Sequence, residues 1–270
     1  MHPRVCLHQV VLMKESTTAF IDLCRDIGVP HMTLATPLLA QQPGGIESVQ
    51  RALANGGPRV SVVNHPFATY PNLEQDDGAA AKQLLRAIDI AATLGAKSMY
   101  LLTGGRGSLS WEQAAARFAE LLAPCKLAAR ERGMTLMIEN ASPFNADLHI
   151  AHTLADTLRL AGMAGIGLCI DLQPCWGEAG LSQLFRRAMP ITGLVQVSDY
   201  VLGDRVAPCR AVPGDGAIPL QRLIGDMLDA GYKGLFDLEL IGPRIDNEGA
   251  AAAAKRAANW LSELLSTLGA

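Results

Sequence analysis

The sequence lacks the features by which several protein classes are recognised. Its 23 basic and 26 acidic residues give a formal net charge of -3, and no basic stripe runs along it, so nucleic acid is not an expected partner. No apolar run reaches the roughly 20 residues that a membrane helix needs. Residues 1–5 lack the apolar core of a signal peptide. We therefore expect a cytoplasmic protein that does not enter a membrane.

Cysteine and glycine motifs are also missing. The six cysteines are scattered without the spacing of zinc fingers or redox pairs, which predicts reduced cysteines that fill the core. No glycine-rich dinucleotide fingerprint follows the first predicted strand. The glycine-rich loop of residues 104–107 follows the fourth strand, and its spacing differs from that fingerprint. This argues against a doubly wound open sheet, which is the alternative fold.

What the sequence does contain is a repeated alternation of apolar, strand-like runs with helical segments. Eight such units follow one another along the chain. The alternation predicts right-handed β–α–β units and a parallel sheet. Eight units predict a closed (β/α)8 TIM barrel, an α/β fold, as a single domain over residues 1–270. In such a barrel the functional side chains lie at the C-terminal ends of the strands.

Several local features are predicted within this pattern. The first strand is expected over residues 5–11. Ser16 is expected to cap the first helix, and Gly28 to end it. A long helix is expected over residues 111–132, and Pro124 inside it predicts a kink or a break.

Four successive predicted strands carry an oxygen-bearing side chain at or near their C-terminal ends. These side chains are Glu139, Asp171, Gln196 and Glu239. An isolated buried charge is costly, so an acidic residue at the end of a buried strand has to be paired, liganded or catalytic. We predict that the four side chains converge on one divalent metal, with Gln196 binding through its amide oxygen.

The chemistry of this donor set favours a hard cation. Oxygen ligands suit Mn2+ or Mg2+, whereas imidazole or thiolate ligands would favour Zn2+. Co2+, Fe2+ and Zn2+ are the alternatives. For any one of the carboxylates alone, a salt bridge or a helix cap is the ordinary interpretation. Their recurrence on successive strands is what favours the metal site.

Five motifs in the chain resemble those of the xylose isomerase-like TIM barrel superfamily, the sugar phosphate isomerase and epimerase group. The motifs lie at residues 137–140, 169–171, 195–200, 210–216 and 231–234. The resemblance covers most of the chain and is strongest over residues 133–242. It implies a (β/α)8 barrel in which Glu139, Asp171 and Glu239 match metal-ligand positions.

The resemblance also implies a type of chemistry. Members of the superfamily include ketose epimerases, aldose-ketose isomerases, inosose and dehydroshikimate dehydratases, and C-glycoside-cleaving lyases. Their shared step is proton abstraction next to a carbonyl, with a metal that stabilises the enediolate charge. Glu139 and Glu239 are predicted to be the catalytic carboxylates that remove and return the proton.

Three hypotheses about function follow. The first is a metal-dependent isomerase or epimerase that acts on a small, sugar-like or polyhydroxylated carbonyl compound. The second is a lyase of the dehydratase type on the same scaffold. The third is a non-catalytic barrel that binds a ligand or a partner.

Three positions depart from the family pattern. Gln196 stands where histidine is usual, although dehydroshikimate dehydratase-like branches also use glutamine there. In the frequent Asp-x-x-His motif of the sixth strand, Pro174 replaces the histidine. Ser198 replaces a frequent lysine. These departures weigh against ordinary ketohexose epimerisation, and Gln196 favours the lyase hypothesis.

Four further residues are candidates for substrate binding. His65 follows the third strand at the expected mouth of the site, and His8 lies within the first strand. Arg210 could hold a phosphate, a carboxylate or a polar edge of the substrate. Trp176, shortly after Asp171, could wall the pocket. A structural role is the alternative for each of them.

The remaining expectations concern residues around the site. Asn140 and Asp199 are predicted to orient the metal ligands. His149 and His152, at the start of the following helix, are predicted to lie on the surface. The expected partner is a small-molecule substrate. Self-association into a homo-oligomer through the outer helices is an expectation that no motif supports.

Overall fold

Eight short apolar runs form the strands, and these strands close into a parallel barrel. In the computed structural model, which describes residues 1–270, the strands are β1 (Val5–His8), β2 (His31–Ala35), β3 (Arg59–Pro66), β4 (Ser98–Leu102), β5 (Thr135–Glu139), β6 (Gly167–Asp171), β7 (Thr192–Val197) and β8 (Leu235–Leu238). Each strand pairs with the next in chain order, and β8 pairs with β1. The predicted (β/α)8 barrel is therefore confirmed, and the open sheet is excluded.

Helices connect the strands and cover the outside of the barrel. They are α1 (Thr17–Ile27), α2 (Thr36–Ala40), α3 (Gly45–Ala54), α4 (Ala79–Thr93), α5 (Trp111–Glu131), α6 (Leu154–Ala164), α7 (Leu172–Cys175), α8 (Leu181–Ala188), α9 (Leu220–Asp229), α10 (Pro243–Glu248) and α11 (Ala250–Thr267). Short 3-10 helices lie at Gln9–Leu12, Pro143–Asn145 and Met189–Ile191. None of the helices combines the length and the hydropathy that a membrane span requires.

The helix termini largely follow the predicted signals. The Ser16 hydroxyl accepts a hydrogen bond from the N–H of Ala19, and Gly28 ends α1 in the left-handed conformation. Pro124 does not break α5, which runs continuously from Trp111 to Glu131. Pro124 lies on the exposed side of the helix, where the carbonyl that loses its donor can bond to water instead.

The first strand is shorter than predicted. It ends at His8, because the His8 Nδ1 accepts the N–H of Val10 at 3.1 Å and turns the chain into a 3-10 helix. The predicted extension to residue 11 is therefore wrong. This local hydrogen bond also fixes the His8 ring inside the barrel.

The barrel interior changes from apolar to polar along its axis. A buried cluster inside it consists of Val62, Tyr100, Met137, Cys169 and Leu194. Side chains alternate along a strand, so residues two positions further on point into the barrel as well. On β5, β6 and β7 those residues are Glu139, Asp171 and Gln196. The polar end of the barrel is therefore the C-terminal end of the strands.

Gly104, just after β4, lies where another part of the main chain passes very close. A Cβ atom at this position would lie 1.7 Å from the carbonyl oxygen of Ala68, and φ is +91°. The N–H of Gly104 donates to the carbonyl of Leu148 at 2.9 Å. Gly104 therefore lets three segments near the mouth of the barrel meet, and only glycine fits there.

We predict that Gly104→Ala lowers the free energy of unfolding by more than about 3 kcal/mol, because the new methyl group would collide with backbone. Gly95→Ala is the matched control, since Gly95 has a φ of +87° but no atom within 4 Å of an added Cβ. Its expected cost is about 1 kcal/mol from the backbone conformation alone. Urea unfolding of both variants measures the difference, and equal losses would contradict the prediction.

Candidate active site

Three carboxylates meet at the C-terminal end of the barrel. Glu139 ends β5, Asp171 ends β6, and Glu239 directly follows β8. One carboxylate oxygen from each residue lies within 4.8 Å of the other two. Glu139 and Asp171 are buried, and Glu239 is nearly so. The structure thus brings together the three acidic residues that the sequence singled out, which we call the carboxylate cluster.

Arg210 neutralises part of the charge of this cluster. Its Nη1 donates to Asp171 Oδ1 at 3.1 Å, and its Nη2 donates to Asp171 Oδ2 at 2.5 Å. Nη2 also lies 2.9 Å from Glu239 Oε2, although this ion pair lacks hydrogen-bond geometry. Ser198 Oγ accepts a further bond from Nη1 at 2.9 Å. The arginine predicted to bind substrate is therefore also the counter-ion of two carboxylates.

Burial and mutual repulsion make the glutamates of the cluster weaker acids. Burial raises the pKa of Glu139 well above its usual value, and the charges of Glu239 and Asp171 raise it further. Burial raises the pKa of Glu239 to about 7, although Arg210 opposes the shift. Burial alone would lower the pKa of Arg210, but Asp171 and Glu239 outweigh it and raise that pKa. Full ionisation of the three carboxylates would therefore place more negative charge here than one arginine can stabilise.

The carboxylate cluster fits a divalent cation. Glu239 Oε2 is buried and receives no hydrogen bond, so one ligand atom lacks a partner of its own. When ionised, the three carboxylates and the single positive charge of Arg210 leave two negative charges, which a divalent ion would cancel. An all-oxygen donor set of this kind suits Mn2+ or Mg2+.

Gln196 lies on β7, between two strands that carry the cluster, and its amide is fully buried. Its Nε2 donates to the Tyr100 hydroxyl at 3.1 Å, and its Oε1 accepts from the Cys169 thiol at 3.4 Å. Tyr100 and Cys169 carried no functional signal in the sequence, because both are indistinguishable from core residues of a strand. The role of Gln196 as a fourth ligand stays a prediction.

Asn140 and Asp199 fix backbone near the cluster in different ways. Asn140 bonds to both the N–H and the carbonyl of Asp171, at 2.9 and 2.8 Å, and so holds one carboxylate residue in place. Asp199 accepts four backbone N–H groups at 2.8–3.0 Å, all in the loop after β7. Its own backbone pairs with Ala211, next to Arg210. Asp199 therefore shapes the loop that carries the arginine and does not contact a carboxylate.

His149 is buried, so the prediction that it lies on the surface is wrong. Its Nδ1 accepts the N–H of Thr103 at 3.0 Å, and its Nε2 bonds to the backbone carbonyl of Glu139 at 2.7 Å. The loop after β5 folds back over the barrel end, with the N–H of Ala141 bonded to the carbonyl of Ala151, and brings the ring inside. His149 thereby ties the ends of β4 and β5 together. His152 is half-buried.

A cavity of about 630 Å³ opens above the carboxylate cluster. This volume is typical of small-molecule sites. Glu139, Asp171, Glu239 and Arg210 border it, and Trp176 is part of its wall, while contact of Trp176 with a substrate stays a prediction. The wall also contains side chains that the sequence did not indicate, among them Ser142, Phe144, Tyr200 and Arg205. They come from the loops after β5 and β7, where residue spacing carries no signal.

The two histidines predicted to bind substrate do not border this cavity. His65 is buried, with its Nδ1 2.9 Å from Thr36 Oγ1 and its Nε2 without a partner. His8 faces the barrel interior, where its Nε2 lies 2.8 Å from the Tyr100 hydroxyl. A substrate in this cavity would therefore not contact either histidine in this arrangement of the side chains.

Comparison with known proteins places this chain in a family. Residues 21–264 match the family described as xylose isomerase-like TIM barrel. The chain belongs to the xylose isomerase-like TIM barrel family. No curated protein sequence matches the chain.

Solved structures in this fold include several sugar enzymes. A D-psicose 3-epimerase, crystallised in the presence of D-fructose, is 16% identical with a TM-score of 0.78, over 99% of this chain and 100% of that chain. A 3-keto-D-glucoside 4-epimerase from E. coli is 18% identical with a TM-score of 0.76, over 96% and 98%. The IOLI protein with a bound zinc atom is 15% identical with a TM-score of 0.83, over 98% of each chain. At identities this low, the structural similarity establishes a shared fold alone.

His65 provides a testable dependence of stability on pH. Burial lowers the pKa of His65 to about 4, whereas the unperturbed value is 6.5. The stabilisation of the neutral ring is therefore present above pH 6.5 and is lost as the pH falls towards 4. Between these limits we predict that wild type loses up to about 3 kcal/mol more unfolding free energy than His65→Gln. Other groups titrate equally in both proteins. Urea unfolding at several pH values measures the free energy of unfolding of each protein. The prediction would be contradicted if the two free energies fell in parallel as the pH was lowered.

Proposed function

We propose that this protein is a divalent-metal-dependent isomerase or epimerase of a small polyhydroxylated carbonyl compound. The observation that carries the proposal is the carboxylate cluster, with an unmatched buried oxygen, at the floor of a cavity. This place, the C-terminal end of the strands, is where TIM barrel enzymes have their active sites. Family membership and the sugar epimerases that share the fold support the proposal.

Glu139, Asp171 and Glu239 would hold the metal, with the Gln196 oxygen as the fourth ligand. The bound ion would supply a Lewis acid that stabilises negative charge developing on a carbonyl oxygen. Gln196 adds a ligand atom without adding charge. Asn140 keeps Asp171 in place through two backbone bonds, so this part of the ligand set is organised before the ion binds.

The proton transfers are assigned to Glu139 and Glu239. Glu139 ends β5 and Glu239 directly follows β8, and two strands lie between β5 and β8, so the two carboxylates reach the cavity from different sides. One carboxylate takes the proton from the carbon next to the carbonyl, and the other returns a proton to the opposite face, which inverts that carbon. Arg210, at the cavity floor, donates hydrogen bonds to a substrate oxygen or to an anionic group.

A dehydratase-type lyase is the second candidate function. The observation that favours it is Gln196, which stands where the family usually has histidine. The first step would be the same removal of a proton by a carboxylate. The electron pair left on that carbon would then form a double bond to the neighbouring carbon and expel its hydroxyl group. The hydroxyl group leaves as water with the proton that the carboxylate gives back, and a conjugated product forms.

We predict that the purified protein binds about one equivalent of Mn2+ through this oxygen-rich site. Glu139→Gln should weaken binding at least about 100-fold, because it removes a charged ligand from a buried site. The matched control is Glu178→Gln, since Glu178 bonds to the N–H of Leu154 outside the cluster. Calorimetry and elemental analysis after dialysis measure both variants. Wild type without bound metal would leave a ligand- or partner-binding barrel as the better hypothesis.

Solvent exchange tests the reaction itself. In D2O, Mn2+-loaded protein should place deuterium next to the carbonyl of at least one compound in a panel of ketoses and cyclic hydroxyketones. Glu239→Gln should slow this exchange at least about 100-fold, because it removes a general base. Release of water with a rising enone absorbance would identify the lyase instead. Absence of both signals across the panel would count against an enzyme of either kind.

A further inference from the structure

We propose that the substrate carries a flat, apolar ring beside its polyhydroxylated carbonyl part, and that Phe144, Trp176 and Tyr200 bind this ring. The inference rests on the proposed function, in which the carboxylate cluster binds the carbonyl part. It adds the class of compound, which is a polyol joined to an aromatic group and not a free sugar.

The cavity above the carboxylate cluster has two chemically different parts. Its floor carries the carboxylate cluster and Arg210. Its outer wall is formed largely by the segments that follow β5, β6 and β7, and each of them contributes one aromatic residue. These residues are Phe144, Trp176 and Tyr200, which we call the aromatic wall. Both parts border one cavity, so a single ligand can contact the charged floor and the aromatic wall.

The cavity is larger than one sugar ring needs. Its volume of about 630 Å³ lies within the range of roughly 300–1,000 Å³ that takes drug-sized ligands. A single sugar ring is much smaller than such a ligand. A substrate that fills the cavity therefore carries a second group beside the part that reacts.

Aromatic residues are scarce in this chain, at 5% of its residues, and seven of them are buried in the core. Six are not fully buried, and the aromatic wall accounts for three of these six. Of the others, Trp111 donates its indole N–H to the carbonyl of Ile150 at 2.9 Å. Trp260 packs against Gly214, where an added Cβ would lie 2.7 Å from its Nε1. The aromatic side chains that the core leaves out are thus concentrated at the cavity.

Phe144 has the most free surface of the aromatic wall, since it is 78% exposed. It lies in the 3-10 helix Pro143–Asn145, where its N–H donates to Ser142 Oγ at 3.3 Å. The backbone is thus held locally, while the ring packs against little of the protein. A ring that keeps this much apolar surface in water at the edge of a cavity can bury it against an apolar ligand.

Several polar groups near the aromatic wall are already used within the protein. The Tyr200 hydroxyl donates to the carbonyl of Asp204 at 2.8 Å. The carboxylate of Asp204 accepts two bonds from Arg244, at 2.6 and 3.0 Å. A second sugar ring would bring hydroxyl groups here, and each of them needs a partner once it leaves water. An apolar ring has no such requirement, so it fits this wall better.

Arg205 adds a preference for an aromatic ring. It borders the cavity beside Tyr200, and its Nη1 lies 3.4 Å from the Tyr200 hydroxyl oxygen. A guanidinium group is attracted to the face of an aromatic ring and stacks on it. A saturated sugar ring has no π-system that could attract the cation.

The test compares pairs of compounds that differ only in the second ring. Methyl and phenyl β-D-glucopyranoside form one pair, the corresponding galactosides and xylosides form two more, and cellobiose represents a second sugar. These glycosides lack a free carbonyl, so ligand-observed NMR measures their binding without turnover, with and without Mn2+. In at least one pair the phenyl compound should bind at least about 10-fold tighter, because its ring is buried against the aromatic wall.

Phe144→Ala should reduce this preference to about 3-fold or less, because it removes the most exposed ring of the wall. The matched control is Tyr70→Ala, since Tyr70 is 84% exposed and does not border the cavity. This control should leave the preference unchanged. Both side chains are exposed, so neither substitution should disturb the fold.

Each outcome decides for or against the inference. Equal affinities within every pair, or no detectable binding of any phenyl compound, would overturn it. Equal losses of preference in Phe144→Ala and Tyr70→Ala would overturn it too. Tighter binding of cellobiose than of phenyl β-D-glucopyranoside would assign the wall to a second sugar instead. Failure of the proposed function is a separate result, because wild type would then not bind Mn2+, whereas the preference for phenyl compounds is still measured in the metal-free protein.

Discussion

Three ionised carboxylates cannot be buried side by side without a cation, and the C-terminal end of this barrel is organised around that constraint. Burial makes Glu139 and Glu239 weaker acids, and Arg210 lies across Asp171 and Glu239 as a counter-ion. One arginine cancels only one charge, and one oxygen of Glu239 still has no donor. Arg210 thus stabilises the buried carboxylates in part, and a divalent ion would cancel the negative charge that remains.

The surroundings of the carboxylate cluster hold it in place independently of any ligand. Asn140 fixes the backbone of Asp171, and His149 bonds to the backbone carbonyl of Glu139. Asp199 gathers four N–H groups of the loop that carries Arg210. These contacts hold the backbone and do not use the carboxylate oxygens of the cluster. The carboxylates therefore keep their positions, and their charges remain available to bind a cation. A site prepared in this way loses little conformational freedom when it binds an ion or a substrate.

The departures from the family pattern have structural counterparts around the cluster. Ser198, where lysine is frequent, accepts a hydrogen bond from Arg210, whereas a lysine there would add a second positive charge beside the guanidinium. Pro174, where histidine is frequent, lines the cavity and offers no donor. Gln196 replaces a ring nitrogen by an amide that the barrel interior holds at both ends. These three departures therefore all lie next to the carboxylate cluster or the cavity above it.

The sequence by itself determined the barrel and the positions of its acidic residues. Strand periodicity and parallel pairing place the ends of β5 to β8 at one rim, so Glu139, Asp171 and Glu239 had to lie near one another. Tertiary structure alone decided the contacts that depend on barrel closure and on loops. The pairing of Arg210 with Asp171 and the burial of His149 are set by loops that fold back over the rim, and the bond between His8 and Tyr100 spans the barrel. No local pattern encodes such contacts, because their partners are distant in sequence and meet only when the chain has closed.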